Sequence, residues 1–169
     1  MADPGALLAT THQAGDGLRV RLRLCRPSDS LRVATFLDGL SSATLEPVRE
    51  VRDFTFYNPR ERLVVAAACP VDGAEVILGL ADCSLLATGL AQLVVVVDDD
   101  AQGRGVGKLL TEVIAALARR QGATHLKAEL PEDNAAMIRL MERLGPTVQA
   151  TEDGVATIYT TLPAAANVA

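Results

Sequence analysis

The chain has 169 residues, 49% of them hydrophobic, and a formal net charge of -5. That length suits one domain with a sizeable core. The acidic balance, with Lys108 and Lys127 as its lysines and no tryptophan, excludes both the clustered cations and the stacking platforms that hold nucleic acid.

Residues 1–17 lack a basic segment followed by an apolar core, so they read as a flexible arm rather than a secretory leader. No apolar run approaches the length of a membrane span. Cys25, Cys69 and Cys83 are odd in number and widely spaced, which suits neither a disulfide framework nor a zinc knuckle. His12 and His125 are the histidines, so a His-rich metal site is excluded and no metal is expected. The default location is the cytoplasm.

Polar and apolar residues alternate from Arg19 to Leu24, the period of a half-buried strand. Pro27-Ser28-Asp29 punctuates it and opens a helix through Leu40, with Phe36, Leu37 and Leu40 on its apolar face. A less regular second helix is expected over 41–57, beginning near Ser42 and covering Leu45, Val48 and Val51. Leu63–Ala68 and Glu75–Cys83 read as strands joined by a turn at Pro70-Val71-Asp72-Gly73. Leu90–Val97 is the central strand.

A helix from about Gly105 to Gln121 follows. Val106, Leu109, Leu110, Val113, Ile114 and Leu117 fall on one face, and Gly122 ends it. Thr124–Leu130 is the next strand. Asp133 or Asn134 caps a helix carrying Met137, Leu140, Met141 and Leu144, a core-packing stripe, and Gly145-Pro146 stops it. Thr147–Thr151 and Val155–Leu162 form a hairpin around Glu152-Asp153-Gly154. The single domain spans 18–162, and 163–169 are expected to be a disordered tail.

The junction of the central strand and the following helix is the most informative stretch. An apolar run, Asp98-Asp99-Asp100, then Gln102-Gly103-Arg104-Gly105-Val106-Gly107-Lys108 lead into the helix. Glycines opening a helix present several unpaired backbone N–H groups at one point, which is an anion site. A P-loop would need glycine at 102 and Ser or Thr at 109; Gln102 and Leu109 stand there. The dinucleotide fingerprint would need glycine at 108 or 110; Lys108 and Leu110 stand there. The acidic run reads as a solvated turn, with Arg104 and Lys108 offsetting its charge.

Gln102-Gly103-Arg104-Gly105-Val106-Gly107 resembles the Gln/Arg-x-x-Gly-x-Gly/Ala signature of the GCN5-related N-acetyltransferase superfamily. Val97 and Asp99 stand where that family has Val-x-Pro. Pro131-Glu132-Asp133-Asn134, Met137, Leu140 and Arg143-Leu144-Gly145 resemble a second family element, with Pro146 in place of a phenylalanine. Arg26-Pro27-Ser28-Asp29 and Phe36-Leu37-Asp38-Gly39-Leu40-Ser41 are similar to the opening of bacterial protein-lysine acetyltransferase domains. The resemblance implies an α/β (α+β) fold: a mixed, mostly antiparallel central sheet flanked by helices. Its strands 90–97 and 124–130 splay apart around a pantetheine arm.

The same resemblance implies acetyl-CoA as co-substrate and an amine acceptor, a small molecule or a protein lysine. Charge and hydropathy leave no nucleic-acid or membrane partner expected, and a homodimer stays open. Coenzyme binding falls to the loop residues Gln102 to Lys108, to backbone N–H groups at Val95 and Val97, and to Asn134 and Met137. The amine must be neutral to attack, yet a free lysine amine has a pKa near ~10.4. Protein-acetylating relatives place a glutamate base ten residues before the signature; here that position is Gln92, whose carboxamide has no useful basicity. Substitute bases are Asp82, Glu129 and Asp98. The tyrosine that many relatives use as an acid falls at Met141, and neither Tyr57 nor Tyr159 matches the motif. Two readings follow: an N-acetyltransferase, or a coenzyme-binding regulatory module with a disabled base.

Overall fold

The computed structural model describes residues 4–48, 54, 58, 60–87 and 89–164. Among these residues eight strands form one sheet: β1 (Thr11–Gln13), β2 (Arg19–Leu24), β3 (Arg62–Val71), β4 (Ala74–Ala87), β5 (Leu90–Val97), β6 (His125–Pro131), β7 (Thr147–Glu152) and β8 (Val155–Thr161). Their spatial order is β1-β2-β3-β4-β5-β6-β8-β7. Every pair is antiparallel except β5 with β6, which is parallel. Among the described residues five helices flank the sheet: α1 (Pro4–Ala9), α2 (Ser30–Asp38), α3 (Ser42–Leu45), α4 (Val106–Arg120) and α5 (Ala135–Leu144). The expected mixed, mostly antiparallel sheet is present.

Sequence pattern explains the layers. β3 lies inside the sheet and buries seven consecutive residues, Leu63 to Cys69, so it reads as a continuous apolar run. β2 lies nearer the edge and alternates, with Val20 and Leu22 buried and Arg19 and Arg21 exposed. One core joins Val65, Ala81, Leu93 and Ile158 to Leu110 and Ile114 of α4 and Met141 of α5. The other joins Val64, Leu80 and Val96 to Val33 and Phe36 of α2, with Phe54 buried among them. The β3–β4 and β7–β8 hairpins carry Asp-Gly with positive φ at both residues: Asp72-Gly73 at 49° and 80°, and Asp153-Gly154 at 50° and 80°. This geometry matches the twist of the flanking strands. Gly145 answers to space: a Cβ there would collide with the Thr161 carbonyl oxygen.

Three expectations are corrected. Residues 4–17 are no loose arm: α1 packs on β2 and α4, β1 pairs with β2, and Gly15–Gly17 forms a 3-10 turn. Their composition is too bland to show this, and one partner, α4, lies far along the chain. The second helix is short, Ser42–Leu45 followed by a 3-10 turn at Glu46–Val48. Pro47 lacks the N–H that a continuing helix needs. The expectations on Val51 and Tyr57, and on Arg49, Glu50, Arg52 and Asp53 as a substrate-facing set, lie outside the described residues, as does most of the tail. The β3–β4 turn is also tighter than expected, since both strands run up to Asp72-Gly73.

Candidate active site

β5 and β6 part company early. They pair at Leu90 with His125, Ala91 with Leu126 and Gln92 with Lys127. Beyond that point β5 stays on β4 as far as Val97, while β6 stays on β8 as far as Pro131. A wedge opens with Gln92 and Lys127 at its apex. The Asp98 N–H donates to the Leu78 carbonyl on the β4 side at 2.9 Å. Backbone polar groups alternate along a strand, so Leu93, Val95 and Val97 direct theirs into the wedge. The wedge can therefore accept an extended chain bearing amides.

The glycine loop stands at the wedge's mouth. Gly103 and Gly105 have φ of +71° and +88°, which strains any other residue. Gly105 is the N-cap of α4 and offers no side-chain acceptor, so the N–H groups of Val106, Gly107 and Lys108 have no partner within the helix. A Cβ on Gly107 would lie 3.5 Å from Leu140 and 3.6 Å from Val97, which places the first turn of α4 against both α5 and β5. Lys108 reaches Glu112 at 3.9 Å on the exposed face of α4. The Arg104 carbonyl accepts from the Gly15 N–H at 2.6 Å.

The other named binding residues have structural partners. The Gln102 amide donates to Thr44 Oγ1 at 3.1 Å and to the Val97 carbonyl at 3.2 Å. Asn134 Oδ1 accepts from the Met137 N–H at 3.0 Å and caps α5, while Met137 packs on the core. The acidic turn is not merely solvated. Asp99 accepts from Ser41 N and Ser41 Oγ at 2.8 Å and from Thr44 Oγ1 at 2.6 Å. Those bonds hold its carboxyl below the usual range. Asp98 Oδ1 accepts from Asp100 N at 3.0 Å, a local turn cap. Asp99 and Gln102 thus tie α3 to the loop, a link invisible in a sequence that separates the partners by 55 residues or more.

A polar row crosses the sheet at the apex, on the α2 face. Paired residues of neighbouring strands share a face, so Arg62, Ser84, Gln92, Lys127 and Tyr159 line up across β3, β4, β5, β6 and β8. Asp82 and Glu129 stand two residues along their strands on the same face. Asp82 is 2% exposed. Its Oδ2 accepts from Arg62 Nε at 2.5 Å and its Oδ1 from Ser84 Oγ at 3.1 Å. Burial pushes its carboxyl above the ordinary value, against the pull of Arg62. Glu129 is nearly half exposed and pairs with Lys127 at 2.7 Å, which raises the ammonium's pKa. Met141 is fully buried.

The candidate catalytic residues Gln92, Asp82 and Glu129 therefore share one face, whereas Asp98 lies at the far end of β5. Arg62, Ser84 and Lys127 escaped sequence reasoning, because only strand register brings them to the apex. Among the described residues no three His, Cys, Asp or Glu side chains gather into a metal-binding group, and no helix is long and apolar enough to cross a membrane.

Comparison with known proteins agrees with this architecture. A 56-residue stretch is 43% identical to a mycothiol acetyltransferase from Geodermatophilus obscurus, covering 33% of this chain and 18% of that protein. The chain thus spans less than a fifth of that curated relative's length. Among solved structures, the GNAT domain of S. lividans PAT is similar over 90% of this chain and 96% of that chain, with a TM-score of 0.76 and 25% identity. A cAMP-binding acyltransferase from Mycobacterium smegmatis is similar over 94% of this chain and 50% of that one, with a TM-score of 0.63 and 25% identity. Residues 31–145 match the model of the acetyltransferase (GNAT) family, and with the wedge and the glycine loop in place the chain belongs to that family.

Proposed function

We propose that the protein transfers an acetyl group from acetyl-CoA to a primary amine by direct attack in a ternary complex, a protein lysine being one acceptor class. The observation that carries this reading is the wedge: β5 and β6 separate after Gln92 and Lys127, and the mouth lies beside a left-handed glycine loop. The N–H groups of Val106, Gly107 and Lys108 suit a pyrophosphate. The inward groups of Val95 and Val97 suit the pantetheine amides and the thioester oxygen, where N–H donors stabilise the developing oxyanion. Holding amine and thioester together lowers the barrier further. Three buried free thiols, Cys25, Cys69 and Cys83, are compatible with a reducing cytoplasm.

Gln92 favours a second reading, an acetyl-CoA-binding regulatory module, because a carboxamide at the apex accepts no proton. One experiment separates the two. Free-thiol release from acetyl-CoA is measured with polyamines, amino acids and lysine peptides, beside acetyl-CoA binding by calorimetry. The enzyme reading expects binding and acceptor-dependent thiol release. Binding without release from any acceptor, together with release by Gln92→Glu, supports the module instead. No binding removes both readings.

A further inference from the structure

We propose that Ser84 and Asp82 form a two-residue proton relay that takes the place of the missing carboxylate at Gln92, with Arg62 as the positioning residue that fixes Asp82. The proposal rests on the acetyltransferase reading and deepens it at the same site.

Register puts Ser84 beside the apex. It pairs with Gln92 across the β4–β5 ladder and with Arg62 across the β3–β4 ladder. Directly opposed side chains of neighbouring strands begin about 5 Å apart. The Ser84 hydroxyl is therefore adjacent to the position where relatives carry their glutamate. A hydroxyl both donates and accepts, and Ser84 already donates to Asp82 Oδ1 at 3.1 Å. It keeps lone pairs for a proton arriving from the apex side.

Asp82 is built as the terminus of such a path. It is almost wholly buried, so it reaches an acceptor only through another group. Arg62 occupies its Oδ2, which leaves Oδ1 to Ser84. A carboxylate buried for packing alone is a poor bargain in free energy, because desolvating it costs several kcal/mol that a single ion pair barely returns. Glu129 is the weaker choice, since Lys127 engages it in the open.

The step balances as follows. An acceptor ammonium at the apex gives a proton to Ser84 Oγ while the Ser84 hydroxyl proton passes to Asp82 Oδ1. The neutral amine attacks the thioester carbonyl carbon. The C–N bond forms, and the C–S bond breaks with its electron pair leaving on sulfur. The second amine proton goes to the thiolate, and Asp82 returns its proton to water by the same path.

The test compares full-length Ser84→Ala, Ser84→Thr and Ser84→Ala/Gln92→Glu with the parent protein. Turnover, acceptor KM, acetyl-CoA Kd and melting temperature are measured. Expected are a fall in kcat of at least tenfold for Ser84→Ala, an acetyl-CoA Kd within twofold of the parent, turnover retained by Ser84→Thr, and turnover restored by the added glutamate. Ser84→Ala loses one half-buried hydroxyl and keeps the ion pair, so folding should survive; the melting temperature checks this. Parental kcat in Ser84→Ala would overturn the relay and leave the acetyltransferase reading standing. A kcat that falls in Ser84→Ala and is not restored by the glutamate would also overturn it. Absence of turnover in the parent would remove both.

Discussion

Asp29 shows how one side chain organises the start of the domain. It is 3% exposed and accepts from both ends of the Arg23 guanidinium, at 2.7 and 2.9 Å, and from the Arg26 N–H at 2.9 Å. Arg23 in turn reaches Glu75 on β4. The Arg-Pro-x-Asp opening of the chain is thus a structural clasp that joins β2, β4 and the entry to α2. The Arg23 guanidinium holds both carboxyls below their ordinary values. Their contribution is present above the unfolded values, near ~4, and is lost as pH falls through the lowered folded values. Asp29→Asn should cost about 2 kcal/mol at pH 7, somewhat less than a fully buried pair because Arg23 is partly solvated. In thermal melts from pH 7 down to pH 2, the gap between mutant and parent should begin to narrow below about pH 4 and close as pH falls through the lowered folded value. A gap independent of pH would mean that packing, not charge, sets the role of Asp29.

At the scale of elements, residues acting within a few positions were legible and residues acting across the sheet were not. The Asn134 signal for α5, the glycines before α4 and the alternation of β2 all describe local physics, and each element begins within about two residues of its expected start. Asn134 can be tested directly. Its Oδ1 satisfies the Met137 N–H at the start of α5, so Asn134→Ala should cost about 1 kcal/mol, or roughly 2–4 °C in melting temperature. Asn134→Asp and Asn134→Ser should recover most of that. If alanine also raises the acetyl-CoA Kd more than tenfold, the residue does more than cap its helix. By contrast, Asp99 looked like part of a solvated acidic run because Ser41 and Thr44 lie far upstream. The polar row likewise needs five strands in register before Arg62, Ser84, Gln92, Lys127 and Tyr159 become neighbours. The glycine loop proposed to hold acetyl-CoA was readable because it lies at a loop and a helix start. The apex proposed to meet the acceptor was not, because it is written in pairings between strands.

For the molecule as a whole, the two ends of this logic meet at the glycine loop. Asp99 and Gln102 tie α3 to one side of it. On the other side, the segment that the sequence presented as a loose arm closes over Arg104. The Gly15 N–H donates to the Arg104 carbonyl, and a Cβ at Gly15 would stand 3.2 Å from that oxygen and 3.3 Å from the Arg104 Cα. That approach is closer than most side chains make, so a bulky residue at 15 must push either the segment or the loop. Any shift of the loop moves the N–H groups that open α4, which no side chain caps. Gly15→Val should therefore weaken acetyl-CoA binding about three- to tenfold, the scale of one hydrogen bond of roughly 1 kcal/mol. The melting temperature should change less, because Gly15 itself contributes no side chain to either core, although Ala14 beside it packs on the first. Calorimetric titration with acetyl-CoA beside a thermal melt separates the two effects. An unchanged Kd would mean that the loop holds its shape without the segment. Equal losses in Kd and stability would mean that residues 4–17 serve the fold alone.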